Sequence, residues 1–231
     1  MTTDWTLHAD EVIALPLDEL GLLVLRDAHD NAVGNWRTWL LTRRNPGYAK
    51  RPDAMGALSE AWGWIENRGL IAWDLGQDTT GAFLISRKGH QFLNDGLNWL
   101  KAVERLDVDL VPALERTARP QFLRGDFEIA AFAAMKEVEV QVRARSGLGT
   151  APDEIGTKLM VKAFKPGGPL FREELEGGES TAQMNLFQGA IGLFKNPSSH
   201  RRVDFNDATE AAEIVLLADL LLRLLDKIEV P

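Results

Sequence analysis

Apolar positions recur at helical spacing through most of the chain. Leu15, Leu20, Leu22, Leu23 and Leu25 form a compact run, the stretch Arg26 to Asn31 is polar, and Trp36, Trp39, Leu40 and Leu41 resume the pattern. Two short helices with a break between them are expected there. Asn45-Pro46-Gly47 is a turn signal and Arg51-Pro52-Asp53 offers a helix start, after which Leu58, Ala61, Trp62 and Ile65 lie on one side of a helix closed by Gly69. The period then shortens: Leu70-Ile71-Ala72-Trp73 and Ala82-Phe83-Leu84-Ile85 read as two short strands joined by the polar loop Asp74 to Gly81.

The second half returns to helices. Trp99, Leu100, Val103, Leu106 and Leu110 mark a connecting helix from about Gly96 toward Leu114, where Pro112 is the expected interruption. Gly125-Asp126 makes a turn and an N-cap for a five-turn helix, Phe127 to Arg145, stopped by Ser146-Gly147-Leu148-Gly149. A shorter helix runs from Pro152-Asp153 to Phe164, Glu173 to Ser180 reads as a mobile loop, and another helix spans about Thr181 to Phe194 before Asn196-Pro197. The last, Asp207 to Glu229, opens on a capping box of Asp207 and Glu210 and is apolar on most sides, an expected sign of burial in a homodimer. The fold expected is mainly α: a domain at 8–95 with a two-stranded wing, a connecting helix at 96–119 and a helical bundle at 120–231.

At 231 residues and with 26% charged side chains, the chain has the composition of a globular protein large enough for two modest domains. The absence of cysteine excludes disulfides, a thiolate zinc site and a cysteine nucleophile, and favours a reducing compartment. No signal peptide or membrane span is readable, so a cytoplasmic location without membrane association is expected. Net charge is −8, shared evenly between the halves, so contact with nucleic acid has to rest on local basic clusters. Arg37, Arg43, Arg44, Lys50 and Arg51 form one, and Lys195, His200, Arg201 and Arg202 another.

The order of three helices and a two-stranded ribbon resembles a winged helix-turn-helix, with ENRGLI closing the third helix and FLISRKGHQFL forming the second wing strand and the next helix. That resemblance implies binding of DNA or RNA, with Arg37 to Arg51 on phosphates. Two readings stay open, because the third helix presents Glu60 and Glu66 and no lysine: a nucleic-acid reader, or a scaffold for dimerisation or partner docking. Six of the seven tryptophans precede residue 75, a distribution expected of core and interface.

Between two helices, Lys195-Asn196-Pro197-Ser198-Ser199-His200-Arg201 places a general acid or base, cations, an amide and two hydroxyls close together. Taken as residues alone it also serves as a helix stop with capping serines, and the spacing does not decide. The segments FEIAAFAAMKEVEVQVRARSGL, IGTKLMVKAF and LFQGAIGLFKNPSSHR, in that order, resemble the Ymh-type abortive-infection family of the HEPN superfamily (higher eukaryotes and prokaryotes nucleotide-binding domain) over about residues 108 to 228. The signature of that superfamily is Arg-Asn-Pro-x-x-His. Asn196, Pro197 and His200 stand in the matching places, and Lys195 occupies the arginine position.

The resemblance implies metal-independent RNA cleavage at a composite homodimer site, in phage defence or a toxin-like system, on single-stranded or transfer RNA and with no cofactor. Such chemistry needs a base for the 2′-hydroxyl, an acid for the leaving 5′-oxygen and positive charge for the phosphorane. His200 would be the acid or base, Lys195 would hold the phosphate, and Asn196 would orient the histidine or donate to a non-bridging oxygen. Arg201, Arg202 and Ser199 would bind substrate. An ammonium does not reproduce the planar fork of a guanidinium. Lys195 suffices, Arg201 or Arg202 supplies the fork, or the chain has become a binding protein, a regulator or assembly partner using its winged helix, on DNA or a protein, and its helical bundle. Glu139 and Arg143, four apart, read as a favourable surface pair, with a role for Glu139 behind the catalytic residues as the alternative the family offers. His8, His29 and His90 are scattered singly, and no metal site is expected.

Overall fold

A computed structural model describes residues 5–43, 48, 50–149, 151, 154–172, 175, 177–195 and 207–228. It is mainly helical with one two-stranded antiparallel sheet, and it divides into two compact units, Met1–Leu100 and Lys101–Pro231.

The first unit runs α1 (Ala9–Ala14), α2 (Leu17–Asp30), α3 (Trp36–Arg43), α4 (Pro52–Asn67), β1 (Ile71–Trp73) and β2 (Phe83–Ile85). The expected break between two helices is present, at 31–35, but it begins where the polar stretch ends and not within it. Asp27 is buried and takes the Trp39 Nε1 proton at 2.6 Å and the Asn31 amide at 3.0 Å, so α2 continues to Asp30. Polarity here marks a satisfied buried acid rather than a loop. Trp5, Trp39, Trp62 and Phe83 form an edge-to-face chain with successive centroid distances of 5.3, 5.5 and 5.0 Å, which places three indoles in and around the core. In the sheet, Trp73 pairs with Phe83 and Ile71 with Ile85, and the other edge of β2 is met by the segment before α3 through an Asn35–Ala82 bridge.

α5 (Arg87–Arg105) is interrupted at Gly96, whose φ of +76° leaves the helical region. The connecting helix expected from about Gly96 does begin there, after the kink, but ends at Arg105 instead of running toward Leu114; the chain re-enters helix at α6 (Pro112–Thr117) and α7 (Arg119–Leu123). The bend between is held by side chains. Arg119 donates to the Leu106 and Val108 carbonyls and pairs with Glu115, while Asp219 accepts the Val111 N–H at 2.7 Å.

α8 (Phe127–Ser146) is the axis of the second unit, ended by Gly147 in the left-handed region. α6 and α7 pack on it, as do α9 (Gly156–Phe164) and α11 (Ala208–Asp226), while α10 (Gly177–Ala190) packs on α9. α10 begins inside the stretch read as a loop. α11 is N-capped by Asp207, which accepts from the Thr209 N–H at 2.9 Å. Its apolar surface is largely covered within its own unit, although Leu220 remains 50% exposed, so most of the breadth read from the sequence is intramolecular core. No helix among the described residues is long and apolar enough to cross a membrane.

Candidate functional site

α10 does not end as an ordinary α-helix. Its last turn widens into a π-helix over Ile191–Lys195, and Ile191 is fully buried. Such turns add one residue to the i→i+4 ladder and recur at functional sites. Gly192 makes the close approach to α9 feasible, because a Cβ there would stand 3.1 Å from Thr157 Cγ2. The π-turn packs against α8, α9 and α10 and delivers Lys195 to the flank of α8.

There Lys195 Nζ lies 3.1 Å from Glu139 Oε2, and Arg143 Nη2 donates to Glu139 Oε1 at 2.8 Å. The Glu139 side chain is only 7% exposed and that of Lys195 18%. This corrects the surface-pair reading of Glu139 and Arg143. The carboxylate is buried and shared between two cations, and a buried acid of this kind is stable only with such partners. The trio carries one net positive charge. Arg143 is confined in turn by the α8–α9 loop, since a Cβ on Gly149 would come within 2.4 Å of its Cδ and Nε.

Of the residues expected at the catalytic cluster, Lys195 is placed as described; Asn196, Ser199, His200, Arg201 and Arg202 lie outside the described residues. In the other basic cluster Arg44 lies outside them too, and Arg43 ends α3. Arg37 and Lys50 are exposed. Arg51 is committed to carboxylates, Asp53 at 3.0 Å and Asp10 at 2.8 Å. Its hydrogen bond to Asp53, and then that to Asp10, raise its pKa further above the ordinary range, and the same bond lowers that of Asp53. His29 and His90, far apart in sequence, meet edge to face with ring centroids 5.7 Å apart on the surface. No group of three or more metal-ligating side chains exists among the described residues.

Two features were missed in the sequence. One is the third partner of Glu139, for which i,i+4 spacing carries no signal. The other is a shallow cavity of about 270 Å³ lined by Thr157, Lys158, Val161, Lys162 and Gln188, which lies beside the π-turn through Thr157. Its two lysines, four apart on α9, were legible as one helix face.

No curated protein and no solved structure matches the chain. One family model does, that of Hypoth_ymh, described as a protein of unknown function, and it spans residues 109–225. These limits take in α6 through the π-turn and nearly all of α11, with Glu139, Arg143 and Lys195 inside them. The chain thus belongs to the Hypoth_ymh family.

Proposed function

We propose that this chain is a metal-independent RNA endonuclease of the HEPN kind, active in phage defence or a toxin-like system, with a composite site where two copies of the second unit meet. The observation that carries the reading is the Glu139–Lys195 ion pair on the buried flank of α8. A lysine that merely ended a helix would be solvated. This one is fixed by an acid that also fixes Arg143, immediately ahead of Asn196, Pro197 and His200 in the chain.

In this reading the excess positive charge of the trio meets the phosphodiester and stabilises the phosphorane. His200, whose unperturbed titration lies near neutrality, takes the 2′-hydroxyl proton in one copy and protonates the leaving 5′-oxygen in the other. Asn196 orients the imidazole or donates to a non-bridging oxygen. Arg201, Arg202 and Ser199 bind flanking phosphates, and Lys158 and Lys162 extend that track across α9. The first unit, whose order of helices, bridge and ribbon resembles that of a winged helix, senses a trigger or positions substrate.

The test is cleavage of single-stranded RNA and of transfer RNA in EDTA. Wild-type protein is expected to cut, and His200→Ala to lower the rate by about 10²-fold or more with helical content unchanged. Undiminished cutting by that variant, or no cutting by wild type with or without activating partners, overturns the proposal.

A second reading draws on the same contact. If the ion pair serves only to anchor the π-turn, the chain is a non-catalytic regulator or assembly partner. It then binds nucleic acid with a salt dependence that weakens in Arg43→Ala/Arg44→Ala, and His200→Ala is silent.

A further inference from the structure

The first unit holds a cavity of about 340 Å³ walled by Trp36 on α3, Ser59, Trp62, Gly63 and Glu66 on α4, Ile71, Ala72 and Trp73 on β1, and Phe83 on β2. That volume is within the range of small-molecule sites. Four of its nine lining residues are aromatic, and three of those are indoles, the ring with the most negative face. Glu66 is the one charged residue in the lining. Its carboxylate has no hydrogen-bond or ion-pair partner among the described residues, although Arg68 is only two residues away, stacked on Trp64 with its guanidinium carbon 4.2 Å from the ring centroid. Arg37 stands 5.4 Å from the centroid of Trp36 but does not line the cavity.

These walls select by charge and by hydrogen-bond count. An anion would meet the Glu66 carboxylate and an otherwise uncharged, largely aromatic lining. A primary ammonium would need three acceptors, whereas the side chains offer Glu66 and the Ser59 oxygen, whose proton is already given to the Met55 carbonyl. An N-alkylated ammonium has few or no N–H donors to satisfy and spreads its charge over C–H groups that fit against rings. The position is equally informative. α4 and the ribbon are the elements with which a winged helix reads DNA, and here they enclose an aromatic, acidic pocket. We infer that this pocket binds an organic cation with an N-alkylated, most simply quaternary, ammonium head, seated against Trp62, Trp73 and Phe83 with Glu66 as counter-charge.

The experiment is calorimetric titration of the full chain with choline and with Nε-trimethyllysine, against 3,3-dimethylbutan-1-ol, the neutral carbon isostere of choline, and guanosine monophosphate. Saturable binding of at least one cation is expected, about tenfold or more tighter than the isostere. Trp73→Ala and Glu66→Gln alter exposed residues and should leave the melting temperature unchanged, weakening the cation by about tenfold and threefold respectively. Equal affinity for choline and its isostere overturns the inference, as does failure of both cations to bind. Preferential binding of guanosine monophosphate overturns it in favour of base stacking.

Discussion

Glu139 and Lys195, on different helices, meet at 3.1 Å with almost no surface left on the acid, and the second oxygen of Glu139 is taken by Arg143 at 2.8 Å. Removing the carboxylate leaves two cations close together and partly desolvated. Glu139→Ala is expected to destabilise the protein by about 2 to 4 kcal/mol, read from urea unfolding, because breaking a buried pair strands its partner. Lys195→Ala in that background should cost less than it does alone, since the two residues share one interaction.

Lys195 stands where the resemblance places an arginine, and the proposed chemistry depends on the difference. Lys195→Arg keeps the charge, reaches the same carboxylate and restores the bidentate fork, so RNA cleavage should be retained or increased. Lys195→Ala should reduce it by about 10²-fold, the scale of one lost transition-state contact. Initial rates on a labelled single strand separate these outcomes. Equal rates for the three proteins would remove Lys195 from the phosphate site.

Both results bear on what a sequence can disclose. α4, α8 and α11 were legible because an apolar stripe and a local start or stop signal agree: Pro52 at the first turn of α4, Asp126 and Gly147 around α8, Asp207 ahead of α11. The two strands were placed within a residue or two of where they lie. Errors arose where a distant partner decides the outcome. Asp27 looked like loop polarity because its acceptor role depends on Trp39. The connecting helix looked longer than it is because leucines keep their spacing past Arg105, through a bend that Arg119 and Asp219 hold, so the interruption expected at Pro112 comes earlier. Glu139 looked like half of a surface pair because its other cation arrives from a different helix. The π-turn carries no pattern beyond the small residues Gly189, Ala190 and Gly192.

The bend before α6 is pinned to α11 by an acid and the arginine it pairs with. Asp219 is 13% exposed at its side chain, accepts from Val111 N–H and pairs with Arg223 at 2.6 Å, and Arg223 also donates to the Asp109 carbonyl. Asp219→Ala should cost about 1 to 3 kcal/mol, the penalty of an orphaned amide at a helix start. Asp219→Asn, which still accepts, should cost less. Amide exchange at Val111 measures the local effect: it should quicken in Asp219→Ala and remain slow in Asp219→Asn.

Acid should loosen the same bend. The hydrogen bond from Arg119 holds the Glu115 carboxyl below its ordinary value near 4.5, and the Leu110 N–H adds to it. A lowered folded-state pKa means that this stabilisation is complete above the ordinary value and is lost as pH falls through the folded one. Urea midpoints measured from pH 7 to pH 3 should therefore show wild type ahead of Glu115→Gln at neutrality, with the two curves converging on the acid side. A gap that does not narrow as pH falls below 4.5 would mean that Glu115 acts by packing rather than charge.

Gly149 offers a test of the charge trio that touches none of its members. Its φ of +102° is unfavourable for any residue with a Cβ, and that Cβ would fall 2.4 Å from Arg143 Cδ. Gly147→Ala gives a lower bound on the first cost, because Gly147, at φ +66°, lies in the left-handed well and has nothing within 4 Å of its would-be Cβ. That control should lose about 1 kcal/mol. Gly149→Ala should lose more, through its more strained φ and through Arg143 being pushed off Glu139. If displacement contributes, Gly149→Ala should cost less in an Arg143→Ala background than in the wild-type background, and urea unfolding of wild type, the two single variants and the double variant decides it. An excess that survives the loss of Arg143 would place the strain in the loop backbone, where the Gly149 N–H is bound to Glu154 at 2.7 Å.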